Sequence, residues 1–258
     1  MKALRLVLLL VVVALAPAVA WAGAGDGLLG TAHDFSGKTA TSNGEPWTTG
    51  LCTICHTPHK AISTALLWNH TLSLNPTFSW SDATTTTAGT PLATFPNTYS
   101  GPTAKCLSCH DGSVAIGNIA WFGEGKPTSI TDLSDMFHPT GDTYNVGFGG
   151  DMKGNHPVAM PYPYLGAANT YNGITTSSLA NPGYGIVASE WQSTPLAPIR
   201  MFNDSTGSVT PGPVAGRTGI ECSSCHDPHN KAAVDDLFLR GKLGGSDTGY
   251  ICLKCHIK

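Results

Sequence analysis

The sequence predicts a single loop-rich domain that is mostly irregular, with short α-helices, little β-structure and a core that the polypeptide does not supply alone. Three observations lead to this prediction. Charged residues make up only 12% of the 258 residues, about half of the usual share. Gly and Pro, at 30 and 18 residues, interrupt the chain too often for long regular elements. The motif Cys-x-x-Cys-His occurs four times and uses all 8 cysteines.

The four motifs indicate covalently attached c-type haem, for which this spacing is the attachment signature. In each motif two thiols bond the porphyrin and the next imidazole ligates the iron. The predicted attachment residues are Cys52, Cys55, Cys106, Cys109, Cys222, Cys225, Cys252 and Cys255. The predicted proximal iron ligands are His56, His110, His226 and His256. We therefore expect a multihaem cytochrome c with short helices at the haem sites and a core built around four stacked haems.

Two other uses of paired cysteines fit the sequence less well. Zinc sites also contain Cys-x-x-Cys pairs, but zinc gives no reason for a histidine directly after every second cysteine. Disulfides suit exported proteins, but a bridge across two intervening residues would connect no distant parts of the chain. Haem attachment explains both the cysteines and the histidines.

The first 22 residues predict an export signal. Lys2 and Arg5 precede an apolar segment, residues 6–16, and Ala20-Trp-Ala22 or Ala18-Val-Ala20 offers a small-x-small cleavage site. The apolar segment is shorter than the about 20 residues of a membrane span. We expect residues 1–22 to be removed and residues 23–258 to form an exported tetrahaem domain without a membrane span.

Net charge bears on the class of partner. The formal net charge is −3, and loss of Lys2 and Arg5 with the signal would make it more negative. Nucleic-acid binding is typical of basic surfaces. We therefore expect no nucleic-acid partner.

An internal repeat predicts two equivalent haem pairs, residues 52–110 and 222–256. Cys52-Thr-Ile-Cys-His-Thr-Pro-His59 matches Cys222-Ser-Ser-Cys-His-Asp-Pro-His229, and an apolar patch and a second site, Cys-Leu-x-Cys-His, follow each. Haem attachment does not require the shared Pro-His, which favours duplication over convergence. Residues 119–219, between the pairs, contain no cysteine. We expect them to form a long loop that wraps the haems, an intersubunit surface, or both.

The remaining histidines decide between electron carrier and enzyme. Six are not proximal, which is enough to fill the sixth position of every iron: His33, His59, His70, His138, His156 and His229. Six-coordinate iron transfers electrons without binding a substrate, whereas a haem enzyme needs an open position. The methionines Met136, Met152, Met160 and Met201 are alternative ligands that this count makes unnecessary.

His59 and His229 are the strongest distal candidates. Each follows a proximal histidine by three residues, so the two Cα atoms are at most about 10–11 Å apart. That tether is too short to pass round a porphyrin, so each should ligate a neighbouring haem, which places the haems in one close row. Among the others, His156 and His33 are favoured over His70 and His138. The proline after both His156 and His138 favours an extended backbone and does not separate them.

In their order along the chain, these residues resemble the OmcE-type tetrahaem cytochromes, secreted subunits of extracellular nanowires in metal-reducing bacteria. The matching segments are His33-Asp-Phe-Ser, Cys52–Ala61, Leu67-Trp-Asn, Cys106–Ala115, Asp151–Val158, Cys222–His229, Leu239-Arg240 and Cys252–His256. The resemblance implies two histidine ligands on every iron, with His33, His59, His156 and His229 as the distal ones. It also implies a homopolymeric filament with a continuous row of haems and one axial ligand from an adjacent subunit.

The function that we expect is electron transfer at the cell surface, from redox-partner cytochromes to external acceptors, by a polymerised conduit. His33, on an N-terminal arm, is expected to reach the iron of a neighbouring subunit. One alternative is a monomeric periplasmic electron shuttle. Another is a multihaem reductase, which would need a five-coordinate iron.

Overall fold

The computed structural model describes residues 23–42, 45–48, 50–59, 61–62, 65–87, 89–120, 146–176, 190–235 and 237–257. The predicted signal, residues 1–22, lies outside the described residues, as do Met136 and His138. The α-helices are α1, Pro102–His110, and α2, Cys222–Cys225. Short 3₁₀ turns span Ala65–Leu67, Phe148–Gly150, Tyr164–Gly166 and Ile251–Lys254. None of the helices in the described ranges is long and apolar enough to cross a membrane.

The strands are short. They are β1 Thr39–Ser42, β2 Glu45–Thr48, β3 Thr77–Phe78, β4 Phe95–Pro96, β5 Met160–Pro161, β6 Thr170–Tyr171, β7 Ile174–Thr175, β8 Phe202–Asn203, β9 Thr210–Pro211 and β10 Thr218–Ile220. The described fold is thus mostly irregular, with few helices and only short strands, as predicted.

The largest sheet lies in the segment predicted as a wrapping loop. Its antiparallel strands follow the order β5-β10-β8-β9, while β1-β2, β3-β4 and β6-β7 form separate pairs. Gly219 in β10 pairs with Pro161 on one side and Phe202 on the other, and the ring of Tyr171 leaves no room for a side chain there. Because β10 ends at Ile220, the sheet leads directly into the third haem motif.

The apolar core packs beside the motifs. Helix α1, which begins with Pro102 as helices often do, contributes Ala104 and Leu107 to the main cluster; the other members are Phe78, Trp80, Phe95, Tyr99, Met152 and Ala159. Ile54, inside the first motif, forms a second cluster with Ile116 and Ile119. Cys106 and Cys109 project from α1 three residues apart, on one face of the helix. The core therefore fixes the backbone that carries the first two motifs.

Candidate haem-attachment sites

The first and third motifs share one backbone frame. His56 pairs with Trp68, and His226 pairs with Leu239, in isolated antiparallel bridges. The residue after each histidine donates its N–H across the same turn, over 2.9 Å from Thr57 to Leu67 and 2.7 Å from Asp227 to Phe238. The predicted repeat is therefore also a repeat of hydrogen bonds.

This frame contains two successive non-glycine residues in the left-handed region: φ is 62° and 50° at Leu66 and Leu67, and 58° and 59° at Leu237 and Phe238. This conformation costs roughly 1–2 kcal/mol per residue. It brings the Leu66 carbonyl oxygen 2.6 Å from Nδ1 of His56, and the Leu237 carbonyl oxygen 2.7 Å from Nδ1 of His226. A neutral imidazole that donates from Nδ1 leaves Nε2 free to ligate a metal. The strained turn thus orients the proximal histidine.

Three proximal histidines face a second histidine, and the ring centroids lie 6.2 Å apart for His56 and His229, 6.0 Å for His110 and His33, and 6.5 Å for His256 and His156. A metal–imidazole nitrogen bond is about 2 Å long, so two imidazoles on opposite sides of one metal have centroids about 6 Å apart. The residues present therefore fit a haem iron held between two histidines.

The other distal candidates differ in their surroundings. His226 is exposed, and no histidine of the described ranges lies opposite it at a comparable distance. His59 lies exposed on the turn after the first motif, where its N–H approaches Oγ1 of Thr57 at 3.4 Å. Ligation of a neighbouring iron by His59 stays a prediction.

His70 is fully buried, with Nδ1 2.7 Å from the Thr71 carbonyl oxygen and Nε2 3.1 Å from that of Ala115. Because both ring nitrogens face carbonyl oxygens, the structure favours a packing role for His70 over ligation. Of the alternative methionines, Met152 is a core residue and the sulfur of Met160 lies 3.2 Å from the Ala93 nitrogen.

None of the eight cysteines is in a disulfide. Burial raises the pKa of the second cysteine in every motif, to about 12 for Cys55, Cys109 and Cys255 and to about 11 for Cys225. Zinc binds thiolates, which these environments disfavour. The described residues also contain no group of three or more His, Cys, Asp or Glu side chains that could hold a metal ion. The second cysteine of every motif therefore lies in surroundings that favour the neutral thiol over a zinc-binding thiolate.

Consecutive attachment sites are neighbours. After burial, the Cys109 thiol is the next cause of the raised pKa of Cys55. A hydrogen bond to the Cys222 thiol raises the pKa of Cys106. Burial and then the Cys225 thiol raise that of Cys255. Each motif therefore lies close to the next one in the sequence.

A buried carboxyl group that the sequence analysis did not single out joins the second and third sites. Glu221 is 1% exposed and accepts hydrogen bonds from the Tyr99 hydroxyl at 2.7 Å, the Tyr171 hydroxyl at 2.6 Å and the Thr103 N–H at 3.1 Å. The Thr103 hydroxyl also donates to Glu221 and accepts the Cys222 N–H at 3.2 Å. Glu221 therefore ties the first turn of α1 to that of α2.

The fourth site contains a second residue that the sequence analysis missed. Trp191 pairs with His256 in an antiparallel bridge, and the two rings lie 4.2 Å apart. Trp191 comes from a segment far upstream of the motif, so no local spacing could have revealed the contact. Only the tertiary fold places this indole on the proximal histidine.

Two comparisons bear on the family. Residues 212–258, which hold the third and fourth motifs, match the family described as the doubled CXXCH motif. The C-type cytochrome OmcS of Geobacter sulfurreducens is 28% identical over 156 residues, which cover 52% of this chain and 34% of that protein. The match thus spans about a third of the relative's length. Together these similarities support a multihaem c-type cytochrome, while the narrower OmcE-type resemblance stays a prediction.

Proposed function

We propose that this protein transfers electrons through four c-type haems, each with two histidine ligands, as a subunit of an extracellular polymeric conduit. Similarity to a multihaem c-type cytochrome implies electron transfer in general. The haem iron, when bound, supplies the one-electron chemistry. The observation that carries the finer proposal is the set of three facing histidine pairs.

In this proposal His229, His33 and His156 are the distal ligands opposite His56, His110 and His256. An iron held between two of these histidines would have a protein nitrogen on both sides and would keep no open position for a substrate, which favours electron transfer over the reductase alternative. The carbonyl oxygens at Nδ1 of His56 and His226 fix the ring tautomer and raise the basicity of Nε2. These two hydrogen bonds therefore orient the proximal histidines before electron transfer begins.

The proposed assembly depends on the third motif, whose histidine His226 is not part of such a pair. His226 is exposed, and none of the described histidines forms with it a ring pair like the other three. Its distal ligand then comes from His138, from His59, or from a neighbouring subunit. His33 is a weaker candidate for a cross-subunit ligand than the sequence suggested. It faces His110 of its own chain, and burial followed by His110 lowers its pKa to about 4.

Closely spaced sites support conduction along the chain. The thiol neighbours join the motifs in sequence order, and the contact of His229 with His56 adds a link between the first and third sites. If the subunits polymerise through the open side of His226, the row of sites continues from one subunit to the next. Donor cytochromes and external acceptors would then act at the two ends of the filament.

Electron microscopy of the secreted holoprotein, combined with spin-state spectroscopy, tests this proposal. We expect filaments, and we expect dispersed subunits to show one high-spin iron that becomes low-spin on assembly. A protein that stays monomeric at high concentration with every iron low-spin would instead be the periplasmic shuttle. Fractionation of the native cells distinguishes the outer surface from the periplasm.

A further inference from the structure

The planes of the paired imidazoles differ between sites. The rings of His56 and His229 are 22° apart, close to parallel. Those of His156 and His256 are 59° apart, and those of His33 and His110 are 53° apart. The chain thus presents one nearly parallel pair and two steeply crossed pairs.

An aromatic ring lies against the proximal histidine of the fourth site. The centroids of Trp191 and His256 are 4.2 Å apart, with planes at 53°. At the first site the corresponding bridge partner, Trp68, is edge-on to His56 and more distant, at 6.1 Å and 86°. Contact at 4.2 Å limits the rotation of the His256 ring about its Cβ–Cγ bond, whereas the edge-on Trp68 leaves His56 to be held by the Leu66 carbonyl oxygen.

The indole of Trp191 is itself held on several sides. Tyr162, which is 1% exposed, packs against it edge-on at 5.3 Å and 78°. The Tyr162 hydroxyl donates to the Gln192 carbonyl oxygen at 2.6 Å and approaches that of Cys255 at 3.3 Å. The Gln192 N–H donates to the carbonyl oxygen of Cys255, the residue before the histidine, at 2.8 Å. Trp191 and the fourth motif therefore form one rigid unit.

We infer that Trp191 is a positioning residue of the fourth site: it holds the His256 imidazole steeply across the His156 imidazole and so gives that iron an electronic state distinct from that of the first site. Residues behind a metal ligand orient it and tune the metal. Each imidazole interacts through its π system with the iron d orbital that projects perpendicular to the ring plane. Two parallel rings would act on the same orbital and split the pair, whereas two crossed rings would act on different orbitals and leave them nearly equal in energy.

The consequence is measurable because the splitting determines the low-spin EPR signal. Parallel imidazoles give a rhombic signal, and crossed imidazoles give a strongly axial signal with a large maximum g value. The inference rests on the proposed ligation of the fourth iron by His156 and His256. It adds that the planes of these two imidazoles are held steeply crossed, and that Trp191 holds the His256 ring in this orientation.

The test is EPR spectroscopy of the oxidised holoprotein in three variants whose haem content is checked by intact mass. Trp191→Leu removes the flat ring, Trp191→Phe keeps an aromatic ring, and Trp68→Leu is the matched control at the first site. We expect Trp191→Leu to lose the large-g intensity of one iron and gain rhombic intensity. Trp191→Phe should retain most of the large-g intensity, and Trp68→Leu should retain all of it.

An unchanged large-g signal in a haem-complete Trp191→Leu protein would overturn the inference. Should that variant lose the fourth haem, Tyr162→Phe, which removes the hydrogen bonds from Tyr162 to the Gln192 and Cys255 carbonyl oxygens, must shift or broaden the large-g signal, and an unaltered signal there overturns the inference equally. A high-spin fourth iron in the wild-type protein would overturn the ligation itself. That result can be distinguished from a low-spin fourth iron whose EPR signal does not change when Trp191 is replaced.

Discussion

His229 lies opposite His56, with ring centroids 6.2 Å apart and planes 22° apart, although the proximal histidine nearest to it in the sequence is His226. Three residues cannot carry an imidazole round a porphyrin to the other face of the same iron. In the proposed ligation, the residues after the third motif would therefore complete the first site. One turn would then contribute to two sites.

Replacing His229 with Ala should open the iron of the first site while leaving its thioether bonds intact. We expect one of the four irons to become high-spin or to bind an added ligand such as imidazole, with no loss of haem mass. His70→Gln is the control, because both ring nitrogens of His70 face carbonyl oxygens, and it should keep every spin state. Full low-spin intensity in His229→Ala would show that another group ligates this iron.

The expected number of covalent haems follows from the number of cysteine pairs. Intact mass of the holoprotein should show four covalent haems, because each of the four motifs presents two free cysteines. Replacing Cys252 and Cys255 with Ala should remove a single haem. Loss of two or more haems from that variant would show that the sites do not load independently.

Much of the site could be predicted from the sequence because its chemistry depends on local spacing. The motifs and the Pro-His turns are local, and the tether argument for His229 needs only the length of three residues. Contacts between segments that are far apart in the sequence leave no such local pattern from which they could be predicted. Glu221 resembles any acidic residue before a motif until Tyr99 and Tyr171 are seen to surround it.

The fold was predictable in kind but not in detail. Abundant Gly and Pro predicted irregular structure, and the described chain is mostly irregular. Short strands were compatible with the predicted wrapping loop, but the β5-β10-β8-β9 pairing was not predicted, because strands of two or three residues are too short to show an alternating pattern. Left-handed Leu66 and Leu237 were also unpredictable, since tertiary hydrogen bonds and not residue type hold them there.

The repeat itself can be tested at a buried ion pair. Asp227 and Arg240 lie 3.3 Å apart with side chains 8% and 5% exposed. In the first repeat their positions are taken by Thr57 and Asn69. Arg240 donates to the Ser223 carbonyl oxygen as Asn69 donates to that of Thr53, so these two side chains hold the same turn with and without charge.

We predict that Asp227→Thr and Arg240→Asn are each destabilising alone and compensate each other when combined. Each single change leaves one buried charge unpaired, which costs about 3–5 kcal/mol. The double variant removes both charges and should recover the part of that loss that is due to the unpaired charge, whereas the loss of the N–H bonds that Asp227 accepts from His229, Lys231 and Ala232 should remain. Thermal unfolding followed by haem absorbance measures the cycle. Additive losses in the double variant would show that the two frames are not interchangeable.

The last prediction concerns Glu221 and pH. Burial raises the pKa of this carboxyl above its ordinary value of 4.5, against the hydrogen bonds that lower it. The folded state therefore binds the proton more tightly than the unfolded state, so this contribution to stability is complete below about pH 4.5 and is lost as the pH rises through the folded pKa.

Glu221→Gln removes the titration but keeps the size of the side chain. At low pH the variant should be less stable, by roughly 1–3 kcal/mol, because an amide cannot meet every donor around it. The difference in free energy of unfolding between the two proteins should narrow as the pH rises. Only the wild-type protein must then ionise a buried group, which destabilises its folded state. Denaturant unfolding across this range measures the difference, with Glu190→Gln, at an exposed position, as the control for losing one carboxylate. A gap that stays constant with pH would mean that Glu221 titrates alike in the folded and unfolded chains, and that its hydrogen bonds fully offset its burial.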